Sequence, residues 1–182
     1  MRWQNKDYRS MAFPTLRDYL IISLLIQTGI RRAELIRLKE KDVSSEESQI
    51  RVFGKGKKER LVPIHEKMGQ LVSWYLEKKK EFFEQESPAV SLIVTDKGKT
   101  AYPKFINRVV KTFLESETTL QQKSPHVLRH TFATRLADEG TDLNAIKTLL
   151  GHASLAATQI YTHTSIDRLK NVYKKSHPKG EG

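Results

Sequence analysis

The sequence predicts a mainly helical α+β domain with one small antiparallel β-sheet or hairpin, and three observations carry that prediction. Apolar residues recur at helical spacing in most segments, as at Leu16, Tyr19, Leu20 and Leu24, and again at Phe105, Ile106, Val109 and Val110. Gln49–Phe53 and residues 59–64 read instead as extended, joined by the glycine-rich basic turn Gly54-Lys55-Gly56-Lys57-Lys58. The 182 residues include no Cys, and no internal repeat is visible, so one hydrophobic core must hold the chain without covalent staples.

Taken in order, residues 1–13 are polar and mixed, without a clean period, and read as a residual linker or a shortened first helix. Pro14 suits a first helical turn, and the helix it opens runs to Gly29, with Ile21, Ile22, Leu25 and Ile26 widening its apolar face. So wide a face implies a central helix packed on several sides. Residues 30–38 form a second short helix expected to bury Ala33, Leu35 and Leu38. After the hairpin, Met68, Leu71, Val72, Tyr75 and Leu76 stripe a helix that continues through Lys78, Lys79 and Lys80 as a solvated end and stops before Pro88. Residues 91–95 read as a short strand closed by Asp96-Lys97-Gly98. Pro103 opens a helix to about Leu114, with Phe105, Ile106, Val109, Val110 and Phe113 inward. Pro125 opens another that ends at Gly140, with Leu128, Phe132, Ala133 and Leu136 on its buried side. Residues 144–150 make a brief helix ended by Gly151. Ser154 caps the helix that carries Tyr161, and Thr164 or Ser165 caps a last helix, 166–175, striped by Leu169, Val172 and Tyr173.

The formal charge is +11, with 29% of residues charged, which points to a polyanionic partner, either nucleic acid or an acidic membrane surface. No apolar run reaches membrane-spanning length, and no basic segment leads into an apolar core at the N-terminus. The expectation is a soluble cytoplasmic chain without a membrane partner, for which nucleic acid is the polyanion. The absence of Cys excludes a disulfide framework and thiolate metal sites.

The residues that carry chemistry lie in two groups. His126 and Arg129 stand three apart on one helix and share a face, with His130 turned partly away. Alone, such a pair also fits an ordinary helix surface. The Gly151-His152 step changes the weighing, because backbone at a glycine lets a ligand approach closely. His126, His130 and His152 are possible nitrogen ligands, but the charge of Arg129 opposes a cation and no carboxylate stands at ligand spacing, so no metal is expected. Tyr161 reads either as a core aromatic or as a nucleophile. A phenol attacking a phosphate needs cationic neighbours and a proton acceptor. Guanidiniums suit that task, because they grip two non-bridging oxygens at once. Arg129 and either Arg31 or Arg32 fill the role, and the residues alone do not choose between the last two. Lys55, at the hairpin tip, can reach into a groove or sit in solvent. Lys57, Lys58 and Arg60 are placed as phosphate contacts that position DNA without reading sequence.

These boxes resemble, one after another, those of the tyrosine recombinase (phage integrase) family in its Xer-like branch. Residues 28–35, Thr-Gly-Ile-Arg-Arg-Ala-Glu-Leu, resemble the box of the first catalytic arginine, which selects Arg31, with Glu34 as its supporting acid. Residues 54–63 resemble the lysine hairpin, with Lys55 as the catalytic lysine. Residues 124–134 resemble the His-x-x-Arg box, 149–154 the second histidine box, and 158–163 the box of the nucleophile.

The resemblance implies the integrase catalytic-domain fold over residues 14–165, followed by a C-terminal helix and basic tail, 166–182, that docks on a neighbour. The family's N-terminal DNA-clamping domain has no counterpart in this sequence. It further implies site-specific DNA recombination without cofactor: Tyr161 attacks the scissile phosphate to give a 3′-phosphotyrosyl link, while Arg31, Arg129 and His152 stabilise the transition state. Lys55 would serve as general acid and His126 as proton acceptor or a second phosphate contact. Arg32, His130, Lys174 and Lys175 join Lys57, Lys58 and Arg60 as expected DNA contacts. The implied partners are double-stranded DNA and, on it, a homo-tetramer or a hetero-tetramer with a second recombinase, the free chain being a monomer. Two alternatives stand beside this reading: a mobile-element integrase with the same chemistry, and a non-catalytic DNA-binding fragment.

Overall fold

The computed structural model describes residues 7–54, 59–84, 90–117 and 123–151. Helix α1, Phe13–Thr28, is the element the others pack around. It starts one residue before Pro14, and Phe13 itself is buried against Tyr75 and Phe83. Leu16, Leu20, Ile21, Leu24 and Leu25 are all but inaccessible to solvent, on several sides of the helix, as the wide apolar face requires. The chain leaves α1 through Gly29 at φ 60°, whose N–H donates to the Leu25 carbonyl 3.1 Å away. A Cβ at Gly29 would meet the Phe132 ring at 2.3 Å, so both the backbone angle and the packing call for glycine. Tyr8 and Met11, upstream of α1, pack against the same core.

Helix α2, Arg32–Arg37, is shorter than the predicted 30–38. Leu35 and Leu38 are buried as expected, but Ala33 is exposed and Glu34 takes the inward position. Strands β1 (Val43–Ser44), β2 (Gln49–Phe53) and β3 (Glu59–Pro63) form one antiparallel sheet in the order β1-β2-β3. The hairpin expectation is thus borne out; the two-residue β1, too short to show a period, escaped it. In β2–β3, Ile50 pairs with Val62 and Val52 with Arg60, so Arg60 shares a sheet face with core residues.

Helix α3, Glu66–Phe83, buries Met68, Leu71, Val72 and Tyr75, with Leu76 half-buried. Lys79 does not belong to a solvated end: it is 1% exposed, with its ammonium on Glu40 Oε1 at 2.6 Å and the Ser91 carbonyl at 2.8 Å. Residues 91–95 are not a ladder strand. They make single bridges, Lys39 to Ser91 and Val94 to Thr100, and bury Leu92, Ile93 and Val94. Helix α4, Pro103–Glu117, buries Phe105, Ile106, Val109, Val110 and Leu114, while Phe113 is half-buried.

Helix α5, Pro125–Asp138, and helix α6, Leu143–Leu150, complete the described fold. Phe132, Leu136, Ile146, Leu149 and Leu150 form a second, smaller core between them, with Ala133 half-buried at its edge. Asp142 caps α6 by accepting from the amides of Asn144 and Ala145, and Gly151 ends it at φ 63°. The expected helices beyond Gly151, including those carrying Tyr161 and 166–175, lie outside the described residues. Among those described, no helix is long and apolar enough to cross a membrane.

Candidate active site

Three arginines from three elements meet at the C-terminal end of α6. A helix end leaves its last carbonyls without intrahelical partners and carries partial negative charge, so cationic donors are favoured there. Each of the three carbonyls at this end receives a different guanidinium. Arg60 Nε donates to Leu149 O at 2.8 Å, Arg129 Nη2 to Leu150 O at 2.6 Å, and Arg31 Nη2 to Gly151 O at 3.1 Å. Arg129 Nη1 also donates to Gly29 O at 2.5 Å, so one guanidinium joins the end of α1 to the end of α6.

Glu34 organises the cationic side. Its Oε2 accepts from the backbone N–H of Arg31 at 2.7 Å, as an acid in the first turn of α2 can do, and its Oε1 takes Arg31 Nη1 at 3.1 Å. Arg60 grips the same carboxylate with both prongs, Nη1 on Oε1 and Nη2 on Oε2, each at 2.8 Å. Burial would push the Glu34 carboxyl up; hydrogen bonds from Arg60 and from the Arg31 backbone, with the Arg60 charge, outweigh it and hold the group below its ordinary value. Three guanidiniums against one carboxylate leave an excess of positive charge. Arg129 registers it: burial, then the adjacent Arg31 charge, pushes its guanidinium down to about 10, still cationic at neutral pH. A partly desolvated cation beside other cations gains when an anion arrives, and a phosphodiester is an anion of matching geometry.

The structure brings Arg31, Glu34 and Arg129 together. His126 lies one turn before Arg129 on α5 and is exposed, as is His130. Arg32 is half-buried, and its Nη1 donates to Asn107 Oδ1 of α4 at 2.8 Å. Arg60 departs from the surface phosphate contact expected of it. It is 8% exposed, with its donors committed to Glu34 and Leu149. Sequence reasoning missed this buttress, although the signal was there: in an alternating strand, Arg60 has the parity of Val62, not of Glu59 and Leu61. Lys55, Lys57, Lys58, His152, Tyr161, Lys174 and Lys175 lie outside the described residues. Gly151, whose carbonyl Arg31 holds, immediately precedes His152 in sequence. Among the described residues, no three His, Asp or Glu side chains gather as a metal site would require.

The model of the phage integrase family matches residues 7–168. Tyrosine recombinase XerC of Chlorobaculum parvum is 37% identical over 182 residues, covering 98% of this chain and 54% of that protein. Its namesake in Thermodesulfovibrio yellowstonii is 41% identical over 172 residues, covering 91% of this chain and 56% of its own length. Among solved structures, the XerA recombinase superposes with a TM-score of 0.68 at 34% identity, over 96% of this chain and 65% of that one. XerH, in a pre-cleavage complex with its difH substrate, does so with a TM-score of 0.69 at 30% identity, over 88% of this chain and 47% of that one. The chain thus spans about half the length of the curated relatives it matches. Arginines gathered at a helix end around a buried acid, on a helical fold with a small antiparallel sheet, therefore have their place: the chain belongs to the phage integrase (tyrosine recombinase) family, in its Xer-like branch, and has the architecture of that family's catalytic domain.

Proposed function

We propose that this chain cleaves and rejoins DNA strands at specific sites through a 3′-phosphotyrosyl intermediate. The observation that carries the reading is the pair Arg31 and Arg129, fixed on consecutive carbonyls at the end of α6 with positive charge in excess. In this reading a non-bridging phosphate oxygen meets each guanidinium, and His152 donates to the same phosphate. The Tyr161 oxygen attacks phosphorus, the bond to the 5′-oxygen breaks, and Lys55 supplies the proton that the departing oxygen takes up. His126, exposed and one turn from Arg129, accepts the phenol proton or contacts the phosphate. The 5′-hydroxyl of a partner strand then reverses the step. Charge on the phosphate is met by side chains, so no cofactor enters the reading.

The finer, Xer-type reading is supported by the relatives named tyrosine recombinase XerC. With it come double-stranded DNA as substrate, a tetramer of like or paired recombinases on that DNA, a monomer without it, and the cytoplasm as its place. Residues 166–182 would pass to a neighbouring protomer, with Lys174 and Lys175 adding DNA contacts.

The test is a pool of labelled duplexes, each with one nick in a randomised core, so that cleavage releases a short fragment and traps the protein. The parent chain should give a denaturation-resistant adduct mapping to Tyr161. Tyr161→Phe should give none, because the ring is kept and the attacking oxygen is lost. An adduct that persists in Tyr161→Phe and maps to Tyr102 or Tyr173 would remove Tyr161 from the reaction.

A further inference from the structure

We infer that Arg60 is a positioning residue for the phosphate-binding pair, tying the lysine hairpin, the Arg31 loop and the end of α6 into one unit. The inference rests on the reading of Arg31 and Arg129 as phosphate ligands, and it replaces a DNA-backbone contact by Arg60 with an internal role. The geometry is a closed circuit. Arg60 holds both oxygens of Glu34 at 2.8 Å; Glu34 holds the backbone and side chain of Arg31 at 2.7 and 3.1 Å. Arg31 holds Gly151 O, and Arg60 Nε returns to the same helix end at Leu149 O. The three donor groups of one buried guanidinium are thereby used on two elements, from a strand that begins one residue earlier at Glu59.

Two further features fit this circuit. A Cβ at Gly151 would stand 2.9 Å from Arg60 Nη1, so the guanidinium is packed against the residue that precedes His152. Lys55 stands between β2 and β3 in sequence, so whatever fixes β3 against α6 fixes the strand into which the Lys55 segment leads. A lysine at position 60 keeps the charge, but its single nitrogen cannot take both Glu34 oxygens in a planar fork while also reaching Leu149 O, as the three guanidinium nitrogens do. The consequence for Arg31 runs through Glu34, which faces Arg31 on its own element, Arg60 from β3 and, at longer range, Arg129 from α5. Without Arg60, the carboxyl stays buried but loses its strongest partner, so protonation becomes easier and its grip on Arg31 fails at a higher pH.

The experiment compares the parent, Arg60→Lys and Arg60→Met. Three readouts are taken: the Glu34 carboxyl titration by carbon-13 NMR, backbone hydrogen exchange at the end of α6, and adduct formation on the nicked duplex pool across pH 5.5–8.5. Arg60→Met should raise the Glu34 midpoint by a pH unit or more and speed exchange around 149–151. Both variants should form adduct at least about ten-fold more slowly, and the loss in Arg60→Met should deepen toward the acid end of the pH range. Their DNA affinity should keep the parent's salt dependence. Arg60→Lys retains charge and stem, so it reads out even if Arg60→Met fails to fold. An unmoved Glu34 midpoint overturns the inference, as does a loss of rate equal at every pH with only a lowered Tm. A salt slope reduced by about one charge in Arg60→Met, and kept in Arg60→Lys, would instead make Arg60 a phosphate contact. If the parent forms no adduct, the strand-cleavage reading fails, while titration and exchange still decide the position of Arg60.

Discussion

Arg129 shows what a guanidinium does that an ammonium does not. Its two terminal nitrogens reach carbonyls on different elements, Gly29 O and Leu150 O, and the planar fork holds both at once. Lysine in its place would keep a charge near the end of α6 but lose one of those contacts and the two-pronged fit to a phosphate. Arg129→Lys should therefore slow adduct formation by about 2–4 kcal/mol in transition-state stabilisation, as loss of one preorganised donor does elsewhere. Single-turnover rates on the nicked duplexes measure it, and a rate within three-fold of the parent would contradict the role.

At the scale of elements, α3 and β3 share a lesson about charged residues in periodic positions. Lys79 follows Met68, Val72 and Tyr75 at helical spacing, and it is buried with them because its ammonium finds Glu40 and the Ser91 carbonyl. The four-carbon stem fills core space while the charge clips α3 to two loops. Lys79→Met keeps the volume and leaves the Ser91 carbonyl without this donor, so it should cost about 2 kcal/mol and lower Tm by about 4–8 °C. Thermal denaturation measures that loss, and adduct formation at 25 °C should stay near the parent's, since Lys79 lies on no element that bears the site. An unchanged or higher Tm would show that the ion pair's desolvation outweighs its contacts.

For the whole molecule, the +11 charge favours a polyanionic partner, which in the proposed function is DNA. Binding to a polyanion releases condensed counterions, so affinity should fall steeply with salt. Replacing both Lys57 and Lys58 with Ala should reduce the slope of log affinity against log salt by up to about 1.8 and weaken all sequences alike. Fluorescence anisotropy on duplexes of unrelated sequence, over a salt series, measures both. A changed sequence preference with an unchanged slope would mean that these lysines read bases.

What was legible in the sequence was whatever depends on local order along the chain. Helical spacing of apolar residues located α1, α3, α4 and α5, because one face of each must leave water whatever lies opposite. Gly29, Gly140 and Gly151 marked helix ends, and each adopts the positive φ that other residues resist. Arg31, Glu34 and Arg129 were legible as parts of one site through their motif boxes. Whether charged side chains near such motifs face DNA or each other was not legible locally, since it depends on which elements meet. Glu34 and Arg60 are 26 positions apart, and Arg60 and Leu149 are 89 apart. Burying any of these groups alone would be costly, and only their meeting at the end of α6 makes burial favourable. Chain order thus determined the elements and the chemistry they carry. Tertiary packing decided that Arg60 turns inward to hold Glu34, because the partners that satisfy its buried charge come from other elements of the chain.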